Sequence, residues 1–194
     1  MYITKEKNMV KKVAVFLTAN FETVEALAPI DLMRRAGIEV TTISLDQTLS
    51  VTSHQQVTVQ ADKMPKQVQV QEFDALFLPG GGLDESKYFA QAETIKFFAQ
   101  DKNKVLAAIC MAPTVLARLD LLTGKQGTCY PAMQEHFTAH QVEFKATNAV
   151  YLDEEKILLG RACGAAFDFG LKLVEVVTDK ATAQRVAEAI VYQS

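Results

Sequence analysis

The chain has 194 residues, 49% of them apolar, and 20 Lys and Arg stand against 23 Asp and Glu for a formal charge of −3. That length supports one domain with a substantial core; the charge balance leaves no basic surplus to hold nucleic acid, and no run of like charges makes a tail. No apolar run approaches the roughly 20 residues that a bilayer crossing needs, so neither a membrane nor nucleic acid is an expected partner. The opening MYITKEKNMVKK lacks the apolar core of an export signal. Three cysteines, Cys110, Cys129 and Cys163, form neither a CxxC pair nor a metal-ligand spacing. Such a sparse, odd set suits a reducing compartment, and the expected location is the cytoplasm.

KVAVFLT (Lys12–Thr18) is a β-branched apolar run of strand length, and IEVTTISL (Ile38–Leu45) is a second. Between them ETVEALAPIDLMRRAG places Val24, Leu27, Ile30, Leu32 and Met33 at near-helical spacing and stops at Gly37. Strand, helix and strand with short joints make a βαβ unit, which requires a parallel sheet and a right-handed crossover. Val51–Gln60 alternates weakly, as an edge hairpin would. DALFLPGGG (Asp74–Gly82) reads as a buried strand ending in a glycine-rich loop, and YFAQAETIKFFAQDK (Tyr88–Lys102) as a helix. KVLAAI (Lys104–Ile109) is a third central strand. After Cys110, APTVLARLDLLTG reads as a helix begun by Pro113 and stopped by Gly124. Short strands are expected near Gly127–Tyr130, Val142–Phe144 and Ala149–Leu152, and a further one at Lys156–Gly160. GAAFDFGLKLVEVVTD and KATAQRVAEAIVYQ read as closing helices. No linker or repeat divides the chain, so one doubly wound α/β domain is expected.

Ligands of such sheets bind outside the carboxyl ends of the strands. The residues standing there are Glu22 and Glu25, Gly80 to Gly82, Cys110 with Met111, and Arg161 to Gly164. Ala108-Ile109-Cys110-Met111-Ala112 has the form small-x-nucleophile-x-small of a nucleophile elbow, in which small neighbours let strand and helix turn sharply. Amides at the start of the following helix favour thiolate over thiol and can hold an oxyanion. An inert, buried cysteine fits the same local pattern. Glu22 at a helix start is explained by capping alone, whereas Glu25, among Val24, Ala26, Leu27 and Ala28, is either a solvated helix residue or a buried, protonatable carboxyl. LPGGG is either a turn or a loop whose N–H groups approach a ligand; its spacing matches no dinucleotide or phosphate fingerprint. His54, His136 and His140 lie in polar surroundings and read as surface histidines.

ETVEALAPIDLMRRAGIEVT, DALFLPGG, AAICMAPTVLA and GAAFDFGLKLVE together resemble the ThiJ/PfpI superfamily, and best its branch of the parkinsonism-associated protein deglycase and bacterial relatives. The resemblance runs from Lys12 to the end, implying one ThiJ/PfpI domain over 12–194 behind an N-terminal extension, 1–11. It implies a flavodoxin-like three-layer sandwich with a mostly parallel central sheet, like that of class I glutamine amidotransferases, and a homodimer. It implies Cys110 as nucleophile and a protonated Glu25 bonded to its sulfur. Gly80, Gly81 and Met111 would be the backbone donors, and Glu22, Tyr130, Arg161 and Cys163 would line the pocket. Implied activities are methylglyoxal hydration to lactate (glyoxalase III), repair of glycation adducts, oxidative-stress sensing and chaperone action, with no metal or organic cofactor. Two positions depart from the family pattern. TCYPAM places Tyr130 where many members carry histidine, and a tyrosine of pKa about 10 is a poor base near neutrality; this counts against a Cys-His protease. RACGAA places Cys163 where a Gly-Pro-Gly loop has its proline. The leading expectation is a cysteine enzyme acting on reactive aldehydes or their adducts. The rival is a redox sensor or chaperone with an oxidisable Cys110.

Overall fold

The computed structural model describes residues 10–82 and 84–193; most of the expected extension, 1–9, lies outside them. The strands β1 (Lys12–Leu17), β2 (Glu39–Ser44), β5 (Ala75–Leu78), β6 (Val105–Ile109), β9 (Ala149–Leu152) and β10 (Ile157–Gly160) form one sheet in the order β2-β1-β5-β6-β10-β9. All neighbours in it are parallel except the antiparallel edge strand β9. The hairpin expected at Val51–Gln60 forms as β3 (Ser50–Thr52) and β4 (Thr58–Gln60), paired apart from the main sheet.

Side-chain alternation along the buried strands sends Val13, Val15, Leu17, Phe77 and Ile109 to one face and Ala14, Phe16, Leu76, Leu78 and Leu106 to the other. The first face is covered by α1 (Thr23–Arg35), α6 (Ala166–Val177) and α7 (Lys180–Ala189). The second is covered by α3 (Ala92–Gln100), α4 (Ala112–Arg118) and α5 (Gln134–Ala139). Strands buried on both faces read as continuous apolar runs, which is why β1, β5 and β6 stand out in the sequence. The result is a flavodoxin-like α/β sandwich. Helix α1 approaches α6 closely because Gly170 has no side chain: a Cβ there would lie 2.7 Å from Leu32 Cδ1 and 3.1 Å from the Pro29 Cα.

Four elements differ from expectation. The helix expected over Tyr88–Lys102 is two, α2 (Ser86–Phe89) and α3, broken at Gln91 (φ −104°, ψ 18°). The break lets Tyr88 bury and donate to the Pro79 carbonyl (2.6 Å) while Ile95 and Phe98 pack on the sheet. The helix after Cys110 ends at Arg118, not at Gly124. Asp120 adopts a left-handed conformation (φ 60°), the Leu121 N–H donates to Leu116 O (3.1 Å) and the Asp120 N–H to Ala117 O (2.9 Å), a Schellman closure without glycine. Gly127–Tyr130 is not a strand; β7 is Gln126–Gly127, paired in parallel with β8 (Glu143–Phe144). Helix α5 has no counterpart in the sequence reading.

Candidate active site

The carboxyl ends of β1, β5, β6 and β10 converge on one cleft, where the chain order reverses between β1 and β5. Cys110 is the first residue beyond β6 and has φ 67°, a left-handed conformation that costs a non-glycine residue about 1–3 kcal/mol. The end of β10 and the segment after β7 hold it there: its N–H donates to Gly160 O (3.0 Å) and its carbonyl accepts from the Tyr130 N–H (2.8 Å). Ala108 and Ala112, both fully buried, leave room for the reversal into α4.

Glu25 stands in the first turn of α1 and is 1% exposed. Its helix is capped by Glu22, whose carboxylate accepts from the Glu25 N–H (2.7 Å). Pro29, four residues on, has no N–H to give the Glu25 carbonyl. Among the described residues, neither oxygen of the Glu25 carboxyl has a well-formed hydrogen bond. Burial dominates its titration and raises it from 4.5 to about 7; the charge of Glu22 adds to the rise, while the Cys110 thiol and backbone groups of Gly80 and Cys163 nearby pull it down.

Gly80 makes the approach of thiol and carboxyl possible. A Cβ there would stand 2.5 Å from Cys110 Cβ, 2.6 Å from Glu25 Oε2 and 2.9 Å from Ile109 O. Gly81 has φ 127°, and a Cβ on it would run into the Asn20 carbonyl and the Glu22 nitrogen. The Gly80 carbonyl accepts from the Glu22 N–H (2.9 Å), so the glycine loop and the start of α1 are bonded to each other.

The electrostatics of the sulfur are set by opposed effects. Burial, then the charge of Glu25 and the approach of its carboxyl, push the Cys110 thiol up, while backbone N–H groups of Met111 and Gly81 pull it down. The amides at the helix start thus act in the direction the sequence implies but are outweighed. Protonating Glu25 removes the adverse charge and turns its carboxyl into a donor toward sulfur, so the two groups titrate as a pair.

A cavity of ≈ 730 Å³ opens over the pair, lined by Glu22, Glu25, Gly81, Cys110, Met111, Tyr130 and Cys163 from the sequence-derived set. Gly80 lies behind it, between thiol and carboxyl. Arg161, expected in the pocket, is not in its wall; its N–H donates to Asn148 O (3.0 Å), and the loop reaches the cavity only from Ala162 onward. Tyr130 is 47% exposed at the rim. Sequence reasoning missed His54, Gln55, Glu85 and Met133, which also line the cavity. His54 is exposed, as a surface histidine should be, but the β3–β4 hairpin folds over the cleft and carries it there. Bonds from the Asn20 N–H to Thr52 O (2.8 Å) and from the His54 N–H to Phe21 O (2.9 Å) fasten that hairpin. Among the described residues, no group of three or more His, Cys, Asp or Glu side chains is placed to hold a metal ion, and no helix is long and apolar enough to cross a membrane.

Comparison with known proteins identifies the family and the fold. The profile of the DJ-1/PfpI family matches residues 11–176. Protein dj-1beta of Drosophila melanogaster is 30% identical over 191 residues, covering 94% of this chain and 97% of that one. A deglycase of Pyrococcus horikoshii is 33% identical over 132 residues, covering 67% of this chain and 79% of its own. The structure of oxidized Toxoplasma gondii DJ-1 superimposes with a TM-score of 0.86 at 30% identity, over 95% of this chain and 100% of that one. The chain belongs to the DJ-1/PfpI family.

Proposed function

We propose that the protein is a cysteine-dependent enzyme acting on reactive aldehydes or their adducts, of glyoxalase III or deglycase type, with Cys110 as nucleophile and Glu25 as its proton partner. The observation that carries this reading is a strained, half-buried thiol facing a cavity beside a buried carboxyl held near pKa 7. A carboxyl so tuned can give and take a proton at physiological pH. The deglycase similarity supports the substrate class.

With methylglyoxal, the sulfur adds to the aldehyde carbon; the C=O π pair moves to oxygen, and the thiol proton, relayed by Glu25, ends there. Backbone N–H groups of Met111 and the glycine loop offset the developing oxyanion. Glu25 then removes the hydrogen of the former aldehyde carbon as a proton and returns one to the adjacent ketone carbon, while the hydroxyl proton on the first carbon passes to the former ketone oxygen, leaving a thioester beside a hydroxyl. The first carbon is oxidised, the second reduced, and no external electron acceptor is consumed. Water cleaves the thioester, releasing lactate and restoring the thiol. Lactate production from methylglyoxal is expected to vanish in Cys110→Ala; survival of the full rate refutes the mechanism.

A second reading, an oxidation sensor or chaperone with little turnover, draws on the same unpartnered carboxyl, which can bond an oxidised sulfur. Selective uptake of oxygen by Cys110 in mild peroxide, together with undetectable aldehyde turnover, favours it. A homodimer is proposed with either reading. Within the chain, α1 buries Ala26, Pro29, Ile30, Leu32 and Met33 and leaves Val24 40% exposed. A sedimentation mass of one chain at micromolar concentration removes the dimer.

A further inference from the structure

We propose that Cys163 is the resolving thiol of Cys110, so that the site reduces a hydroperoxide and closes reversibly as a Cys110–Cys163 disulfide. The inference rests on the reactive Cys110 of the preceding section and adds a second substrate class. Strands β6 and β10 are parallel neighbours in register Ile109↔Gly160, about 4.8 Å apart. Cys110 follows Ile109 directly and bonds Gly160 O, while Cys163 lies three residues past Gly160 in the exposed loop that opens α6. Both cysteines line one cavity. The Glu25 carboxyl, 1% exposed, has the Cys110 thiol and the Cys163 backbone both close to it, which puts the start of the Cys163 loop beside the sulfur of Cys110. A disulfide between the two cysteines needs a Cα separation of about 4.4–6.8 Å, which the exposed loop carrying Cys163 has to supply by closing on the end of β6. Cys129, in contrast, is fully buried and outside the cavity.

The surrounding carboxyls suit the chemistry. Cys110 sulfur attacks the terminal peroxide oxygen, an S–O bond forms, the O–O bond breaks, and the alcohol or water leaves with a proton. Cys163 sulfur then attacks the Cys110 sulfenic acid, forming S–S and breaking S–O. Its proton passes to the carboxylate of Glu22, which lines the same cavity. Protonated Glu25 supplies the proton with which hydroxide leaves as water. Two thiols lose two electrons, the peroxide gains them, and a small dithiol reverses the state by exchange. Without a resolving thiol, a second peroxide would carry the sulfenic acid on to irreversible sulfinic acid.

The test is intact mass of the full-length protein after stoichiometric hydrogen peroxide, with peptide mapping, for wild type, Cys163→Ser and Cys129→Ser. Wild type and Cys129→Ser are expected to lose two hydrogens, to yield one peptide pair joining Cys110 to Cys163, and to recover with dithiothreitol. Cys163→Ser is expected to gain oxygen on Cys110 instead and to resist reduction. Oxygen on Cys110 of the wild type without the cross-linked pair overturns the proposal and leaves the aldehyde reading standing. A Cys110 inert to peroxide overturns it too, and lactate formation in the same preparation then decides the aldehyde reading separately.

Discussion

Gly80→Ala isolates the contact on which the site depends. The new methyl carbon would sit 2.5 Å from Cys110 Cβ and 2.6 Å from Glu25 Oε2, against an ordinary carbon contact of about 3.5–4.0 Å. About 1 Å of movement is therefore required. Cys110 yields little, because bonds to Gly160 O and from Tyr130 N hold its backbone, and the Ile109 carbonyl at 2.9 Å blocks the other direction. The Glu25 carboxyl and the glycine loop must move instead, away from the sulfur. A displacement of this size at reacting groups costs on the order of 100-fold in rate, and overpacking a tight site costs about 1–3 kcal/mol in stability. Lactate formation and urea unfolding, measured on the same preparation well below its unfolding midpoint, separate the two effects. Turnover within roughly twofold of wild type in a folded Gly80→Ala protein would show that proton transfer does not need this thiol–carboxyl approach, since a 1 Å displacement should cost far more.

Glu25 also makes stability depend on pH. In the unfolded chain it loses its proton near 4.5, in the folded one near 7, so between those values the folded state binds more protons and stability falls as pH rises. The stabilising contribution is complete below pH 4.5 and is lost through pH 7, an amplitude of about 3 kcal/mol. Between pH 5 and pH 8 about 2.5 kcal/mol of it falls away, and urea unfolding at those two values should show the wild-type difference shrinking by that amount in Glu25→Gln; an unchanged difference places the titration elsewhere. Gly170→Ala is expected to push α1 from α6 and cost about 1–3 kcal/mol, lowering the melting temperature by about 2–4 °C per kcal/mol, while iodoacetamide labelling of Cys110 stays at the wild-type rate. An unchanged melting temperature refutes the close packing of Gly170 against Pro29.

The parts of this fold legible in the sequence are those whose signal is local. Strands β1, β5 and β6 are apolar over their whole length because both faces are buried, and the elbow shows itself by Ala108 and Ala112 on either side of Cys110. Helix ends were harder. Leu119, Leu121 and Leu122 continue a helical apolar spacing past Arg118, and the chain stops there because Asp120, not the later Gly124, takes the left-handed cap. His54 reached the cavity through bonds between the β3–β4 hairpin and the β1–α1 loop, which no local pattern announces. Titration of the sulfur is likewise non-local. The lowering by Met111 is written into the elbow, whereas the larger rise comes from burial and from a carboxyl contributed by a distant helix.

Two departures from the family pattern acquire a common physical sense in this cavity. With Tyr130 at the rim in place of histidine, the buried group beside the sulfur able to exchange a proton near neutrality is Glu25. A thiol that reacts only when its carboxyl neighbour holds the proton is spared a permanent thiolate's steady oxidation, since reactivity follows thiolate character and exposure. Cys163 extends the same protection: its thiol, beside Glu22 and facing the same cavity, intercepts the sulfenic acid before a second oxidant arrives. Aldehyde turnover and peroxide reduction then compete for one sulfur. On this reading peroxide should suppress lactate formation reversibly in wild type, with dithiothreitol restoring the rate, and irreversibly once position 163 is serine.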